Sequence, residues 1–310
     1  MKLFLKFVLI GVFVFLTKGL SATNYYVNDN STVNDVYTSV VGNNANDGFT
    51  VITPKATLTN VLSTYVLGAT DTVFIDAGTY FQTDRNLTIP SNVVVIGAGM
   101  NLTVFDNDFD AATGYYFAKI SSDVTLKGIR VTRYGQQLNT SVAHALDILS
   151  NATSVNIIDV QVDNCGWTTG AYPIEIHSGA EVNISGGGAS CNASGINSGG
   201  IRIEGATTVV NINDYLFIFS DRESSGSALR VNSGTCKVYN SLFDRNVIGG
   251  GSAAGILYQS GGDLQIYDCK FDGNKYRYTF NAEYGGTILV NGGTFYMTRS
   301  IVSNTDKVSS

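Results

Sequence analysis

Leu146-Asp147-Ile148, Ile174-Glu175-Ile176, Ile201-Arg202-Ile203, Leu229-Arg230-Val231, Ile256-Leu257-Tyr258 and Ile288-Leu289-Val290 repeat one short pattern. Successive copies start 28, 27, 28, 27 and 32 residues apart. A second series starts at Val124, Val155, Val182, Val210, Cys236, Leu264 and Phe295, with spacings of 31, 27, 28, 26, 28 and 31. Two independent series therefore keep one period. Each unit holds three period-2 runs of about three to five residues, separated by Gly, Asn, Asp and Ser, and no helical periodicity. Runs so short are not stable alone, and regular two-residue Asn-Gly or Asp-Gly turns, the mark of hairpins, are missing. Stacking equivalent runs from successive coils solves both problems. Backbone groups pair at about 4.8 Å with the coils above and below, and the inward Ile, Leu and Val merge into one axial core. The expected fold is all-β: a right-handed parallel β-helix, a solenoid of about 27–28 residues per coil.

Corners support this register. Phe243-Asp244-Arg245-Asn246, Phe271-Asp272-Gly273-Asn274 and Ile301-Val302-Ser303-Asn304 follow the second strand, and Val162-Asp163-Asn164 is similar. Each joins an inward apolar residue to an Asn suited to a tight bend, so these Asn are expected to be structural. Upstream, Thr53-Pro54 opens a candidate helix with Pro at its first position. Leu58, Val61, Leu62, Tyr65 and Val66 fall on one face, as a helix capping the solenoid requires. Val73, Leu87 and Val93 start further strands. The organisation expected is 1–22 a leader, 23–105 the cap and first coils, and 106–310 regular coils. No polar cap follows Ser310, so the chain is expected to be truncated there.

The leader is read from Lys2 and Lys6, the apolar run Phe7 to Leu16, and Gly19, Ser21 and Ala22. This is the layout of a secretory signal peptide, with an apolar run too short to span a bilayer, which needs about 20 residues. Secretion or cell-surface display is therefore expected, with no membrane span in the mature chain. A net charge of -6 with 14% charged residues excludes the basic face of a nucleic-acid binder. The four cysteines form no CxxC pair, so a structural zinc site is not expected. Cys165 and Cys191 lie near equivalent places one coil apart and are a disulfide candidate, whereas Cys236 and Cys269 read as buried small hydrophobes.

Two groups are similar to this chain. The stretch Gly42-Asn-Asn-Ala-Asn-Asp-Gly48, then Thr53-Pro-Lys-Ala-Thr57 and Asp71-Thr-Val-Phe-Ile-Asp-Ala-Gly-Thr-Tyr80, resembles the opening of secreted bacterial proteins with the pectin-lyase-like β-helix. The starts Ser227-Ala-Leu-Arg230 and Gly285-Gly-Thr-Ile-Leu289, with the FDRN and FDGN corners, resemble polymorphic outer membrane protein repeats. The resemblance implies the fold over nearly the whole mature chain. It leaves activity open between adhesins, structural stalks, lyases and hydrolases.

The repeat also predicts which side chains stack outside. The middle residues of the first series form one ladder, Asp147, Glu175, Arg202, Arg230, Leu257 and Leu289, and two residues on runs Leu149, His177, Glu204 and Asn232. Glu175 should sit beside Arg202, and His177 beside Glu204. One reading is a glycan-cleaving or glycan-binding patch of Asp147, Glu175, His177, Arg202, Glu204 and Arg230. Paired carboxylates would serve a glycosidase, and Arg202 or Arg230 the base of a lyase. The other is a ladder of opposite charges that only stabilises the sheet. The balance of these signs favours a non-enzymatic adhesion or structural module, monomeric, meeting an extracellular polysaccharide or a host-surface ligand, with a polysaccharide lyase, glycosidase or glycan-binding protein as the alternative. No cofactor is expected. Calcium is the one metal considered, at Asp106, Asp108 and Asp110 or at Asn44, Asn46 and Asp47, which offer oxygen ligands without an EF-hand spacing. Trp167 and Tyr172, beside His177, are candidate sugar-stacking rings.

Overall fold

The computed structural model describes residues 22–81, 84–108, 115–134, 144–165, 172–190, 200–222, 227–248, 254–277 and 285–308. The leader through residue 21, Asp110, Trp167 and Cys191 lie outside the described residues.

The described chain is a right-handed parallel β-helix. Every strand pair is parallel, in sheets of ten, nine, eight and four strands. The ten-stranded sheet starts at Asn24–Val27 and ends at Thr294–Thr298, so it runs unbroken across the expected boundary at residue 105. The pleat explains the repeat. Val155, Val182, Val210, Cys236 and Leu264 stack in register in the ten-stranded sheet, and all are buried. Leu146, Ile174, Ile201 and Leu229 do the same in the eight-stranded sheet, also fully buried. In the nine-stranded sheet Phe217, Phe243 and Phe271 stack with centroids 4.4 and 4.3 Å apart and rings within 9° of parallel. Such pairs add about 0.5–1.5 kcal/mol beyond the area they bury.

The corner from the ten- to the nine-stranded sheet uses a residue with left-handed backbone. Asp159, Asp214, Asn240 and Asp268 have φ of 51, 53, 50 and 53°. Short side chains that bond locally tolerate this region best. The next corner holds two kinds of Asn, which the sequence reading merged. Asn246 and Asn274 are buried, and Asn246 Nδ2 donates to Asn274 Oδ1 at 3.0 Å and to the Phe217 carbonyl at 2.8 Å. Asn304 pairs instead with the coil position of Gly273, is exposed, and donates to Asp272 Oδ1. Asn164, with φ 51°, occupies that outer, left-handed position too.

The helix Leu58–Thr64 caps the first coils, burying Leu58 and Val61. It starts later than expected. Thr57 is its N-cap, its hydroxyl accepting from Asn60 N at 3.1 Å, and the chain before it is held extended. Lys55 N donates to the Tyr26 carbonyl, and the Lys55 carbonyl accepts from Asn28 N, both at 2.9 Å. Val66 lies beyond the C-cap Tyr65 and is fully exposed, outside the apolar face assigned to it. The loop ahead of the helix is organised by Asp76, completely buried, whose carboxylate accepts from the amides of Val36, Tyr37 and Thr38 at 2.5–2.9 Å.

One register differs from the sequence alignment. Leu229, Arg230 and Val231 pair with Leu257, Tyr258 and Gln259, one residue later than expected. The inward amide of Gln259 makes this possible. Nε2 donates to the Gly262 and Thr294 carbonyls at 3.1 and 2.9 Å, so a polar side chain fills a core position. Tyr258, rather than Leu257, then follows Arg230 on the outer ladder.

Candidate functional site

The outer face of the eight-stranded sheet gathers the chemistry. Strands Leu146–Ile148, Ile174–Ile176, Ile201–Ile203 and Leu229–Val231 place Asp147, Glu175, Arg202 and Arg230 in one register row. Each flanking apolar residue is anchored inside, so the middle residue must point out. Glu175 points out yet is completely buried. Arg202 Nε donates to Glu175 Oε1 and lies 3.2 Å from Glu204 Oε1. On the other side, His144 Nδ1 lies 3.6 Å from Glu175 Oε2 and 3.0 Å from the Tyr172 carbonyl. Glu175 Oε2 has no hydrogen-bond partner among the described residues.

That environment sets the protonation states. Burial, only partly offset by Arg202, pushes the Glu175 carboxyl up to about 7. Burial lowers the pKa of His144 and so favours its neutral form. His177 Nε2 and Asp147 Oδ1 are 2.7 Å apart. This bond raises the pKa of His177. Burial is the largest influence on Asp147 and acts to raise its pKa, but the bond to His177 together with the charges of His177, His144 and Lys119 outweighs it and holds Asp147 low. A carboxyl that keeps its proton near neutrality thus sits one coil from an ionised carboxylate paired with imidazole, the divergence that acid–base sites use. The two histidines are the only ones in the chain, and both converge here, their rings 6.5 Å apart.

Arg230 has a different role from its neighbours. Arg130, Arg133, Arg202, Arg245 and Arg299 each hold a carboxylate. Arg230 Nε instead donates to Asn232 Oδ1 at 2.7 Å, and its guanidinium lies over the Tyr258 ring at 5.4 Å. Asn232 is itself held by Glu204, accepting its Nδ2 at 3.1 Å. The terminal fork of Arg230 is therefore fixed in place without an acidic partner among the described residues.

All six residues nominated from sequence share this face. Glu175 sits beside Arg202 as expected, whereas His177 bonds Asp147; its nearest ligand atom still lies within 4.8 Å of those of Glu175 and Glu204. His144 was missed because it precedes the strand repeat; that the chain has only two histidines was the available signal. Tyr258 was missed through the register shift. Tyr172 is buried, with Arg202 5.6 Å from its ring centroid. Asp106 is buried and gripped by Arg133 through Nε and Nη2, and Arg133 also reaches the exposed Asp108 at 3.0 Å. Asn44, Asn46 and Asp47 make bonds internal to their loop. The Asn44 and Asn46 carbonyls accept from Lys55 Nζ, and Asp47 Oδ1 accepts from the Thr53 hydroxyl at 2.7 Å. Cys165 is buried, its Sγ 3.1 Å from the Asp163 carbonyl, and Cys236 and Cys269 are buried small hydrophobes as expected.

No family model matches the chain, and no curated protein sequence matches it. Solved structures do. A pectin methylesterase in complex with a hexasaccharide has a TM-score of 0.48 at 14% identity, with 93% of each chain covered. The pectin methylesterase PemA from Erwinia chrysanthemi gives 0.46 at 14%, again over 93% of each chain. The pectate lyase Pel9A gives 0.44 at 14%, over 92% of this chain and 79% of its own. The strand pairing of the chain itself, parallel throughout and stacked coil on coil, is what makes it a parallel β-helix.

Proposed function

We propose that the chain is a secreted β-helix that cleaves a polysaccharide on the outer face of its eight-stranded sheet, with Glu175 as the proton donor. The observation that carries this reading is Glu175 itself, an outward carboxyl fully buried with one oxygen unpaired and its pKa raised to about 7. A ladder serving only stability has no use for such a group, because an unsatisfied buried acid destabilises the fold. In the proposed reaction Glu175, uncovered as the substrate binds, protonates the departing glycosidic oxygen. His177, oriented by Asp147, accepts the proton released by the attacking water or by a ring carbon. Arg202 positions Glu175, and Arg230 orients an anionic sugar unit two coils away. Secretion rests on the basic and apolar leader.

The test is turnover of purified protein on pectins, alginates and plant and algal glycans, with and without calcium. Reducing ends report hydrolysis, and unsaturated products report elimination. Glu175→Gln should abolish turnover, and wild-type activity should fall above about pH 7 as Glu175 loses its proton and also at lower pH as His177, its pKa raised by Asp147, becomes charged and can no longer accept one. Turnover that survives Glu175→Gln refutes the assignment.

A second reading, a surface-displayed adhesion or structural rod, is favoured by the ties between coils. Arg130–Asp163 and Arg299–Asp268 are bidentate and join neighbouring coils, with distances of 2.6–2.9 Å. The FDRN and FDGN corners, with their likeness to outer-membrane repeats, support the same reading. A folded protein without turnover on the whole panel would put the rod ahead.

A further inference from the structure

The ten-stranded sheet carries a second polar face, on the same coils as Glu175 but on a different sheet. Asn156, Asn183 and Asn211 occupy the same outward position on three consecutive coils. They bond head to tail. Asn211 Nδ2 donates to Asn183 Oδ1 at 3.0 Å, Asn183 Nδ2 to Asn156 Oδ1 at 3.4 Å, and Asn156 Nδ2 to the Ser154 carbonyl at 3.1 Å. The chain of bonds fixes the three amide planes. Each amide still keeps an N–H and a carbonyl lone pair free, since an Asn side chain offers two donors and two acceptor sites. The row floors a shallow groove whose other lining residues include Ser154, Glu181 and Val209. Val209 is 39% exposed, an apolar edge beside the amides. The row is uncharged along these three coils, and Lys237 ends it on the next.

We propose that this groove binds a neutral polysaccharide chain lying along the solenoid axis, as an anchoring surface separate from the cleavage site. Fixed amides suit vicinal sugar hydroxyls, which both donate and accept, and pre-organisation lowers the entropy lost on binding. The coil rise of about 4.8 Å presents one amide for roughly each sugar unit. A polyanion gains nothing from an uncharged row bordered by the Glu181 carboxylate, and a protein strand would need an open sheet edge rather than a sheet face.

Calorimetric titration of the full mature chain with neutral hexasaccharides of glucose, mannose and xylose tests this, with a galacturonate hexasaccharide for comparison. At least one neutral hexasaccharide should bind. Asn183→Ala/Asn211→Ala should weaken it about tenfold or more, removing up to two hydrogen-bonding residues. Asn183→Asp, of the same size, should weaken it without disturbing the fold, as circular dichroism will report. Glu175→Gln should leave neutral binding unchanged even while it abolishes turnover, so the two sites fail separately. Absence of neutral binding at about 10 mM ligand, or binding unaltered in both Asn variants, overturns the proposal.

Discussion

Replacing Glu175 with Gln should make the protein more stable above neutrality. The carboxyl moves from an ordinary 4.5 to about 7 on folding, because burial outweighs the Arg202 contact. The folded state therefore retains a proton that the unfolded chain has released between those two values. Stability falls as pH rises through that window and stays reduced above it. At about 1.4 kcal/mol per pH unit the loss is about 3 kcal/mol. Gln is close in size and can still accept from Arg202 Nε, but it has no proton to lose. The other groups act in known senses. The raised His177 also loses stabilisation as pH rises through its folded value, whereas the lowered His144 gains it as pH rises through the ordinary histidine range. Asp147, held low, contributes fully above the ordinary carboxylate value and is constant from pH 5 upward. Comparing wild type with Glu175→Gln largely removes these shared contributions. Urea unfolding followed by circular dichroism at pH 5 and pH 8 gives the readout. The variant should match wild type within about 1 kcal/mol at pH 5 and exceed it by up to about 3 kcal/mol at pH 8. Parallel stabilities across that range would mean that Glu175 ionises normally, which removes the basis for its role as a proton donor.

Phe243→Ala, in the middle of the Phe217–Phe243–Phe271 stack, should cost about 3–5 kcal/mol in urea unfolding, since both neighbours lose a ring face. Little change would mean that the stack is not tightly packed. Asn246→Ala should cost about 1–3 kcal/mol by orphaning the buried Ser220 amide and Phe217 carbonyl, whereas Asn304→Ala, at the exposed position, should stay within about 0.5 kcal/mol. Equal effects would dissolve the distinction between the two kinds of corner Asn. Asp76→Ala should strip hydrogen-exchange protection from the amides of Val36, Tyr37 and Thr38 while leaving Val238 protected in the core. Retained protection at residues 36–38 would show that the loop holds without its buried carboxylate.

The coils were legible because the same demand recurs in each. An inward position on a strand accepts only an apolar side chain, so Val182, Val210 and Leu264 announce their register without knowledge of the structure. The alignment failed where that demand was met by other means. Gln259 fills a core position because its Nε2 donates to the carbonyls of Gly261, Gly262 and Thr294, and no apolar pattern encodes that. The helix start was misplaced for a similar reason. Pro54 suits a first helical position, but Lys55 pairs with the strand Asn24–Val27 region before the helix can begin. The row Asp147, Glu175, Arg202, Arg230 followed from the repeat alone. The burial of Glu175 did not, because it depends on His144 and Tyr172, which precede their strands and obey no period.

A solenoid also explains why the chemistry collects where it does. Parallel coils repeat their outward positions about every 4.8 Å, so residues some 27–28 apart in sequence become neighbours. A charge placed once is isolated, but charges placed at the same point of successive coils form a field. With only 14% of residues charged, placing Asp147, Glu175, Arg202 and Arg230 on four consecutive coils brings four charges and both histidines of the chain together on one face. The arrangement goes beyond alternating pairs. Arg202 lies between two carboxylates and Arg230 faces none among the described residues, so the row has an acidic end around Glu175 and a cationic end at Arg230. A ligand that carries a group to be protonated and, further along, a negative charge would match both ends at once. That asymmetry, rather than the number of charges, separates a site from a ladder.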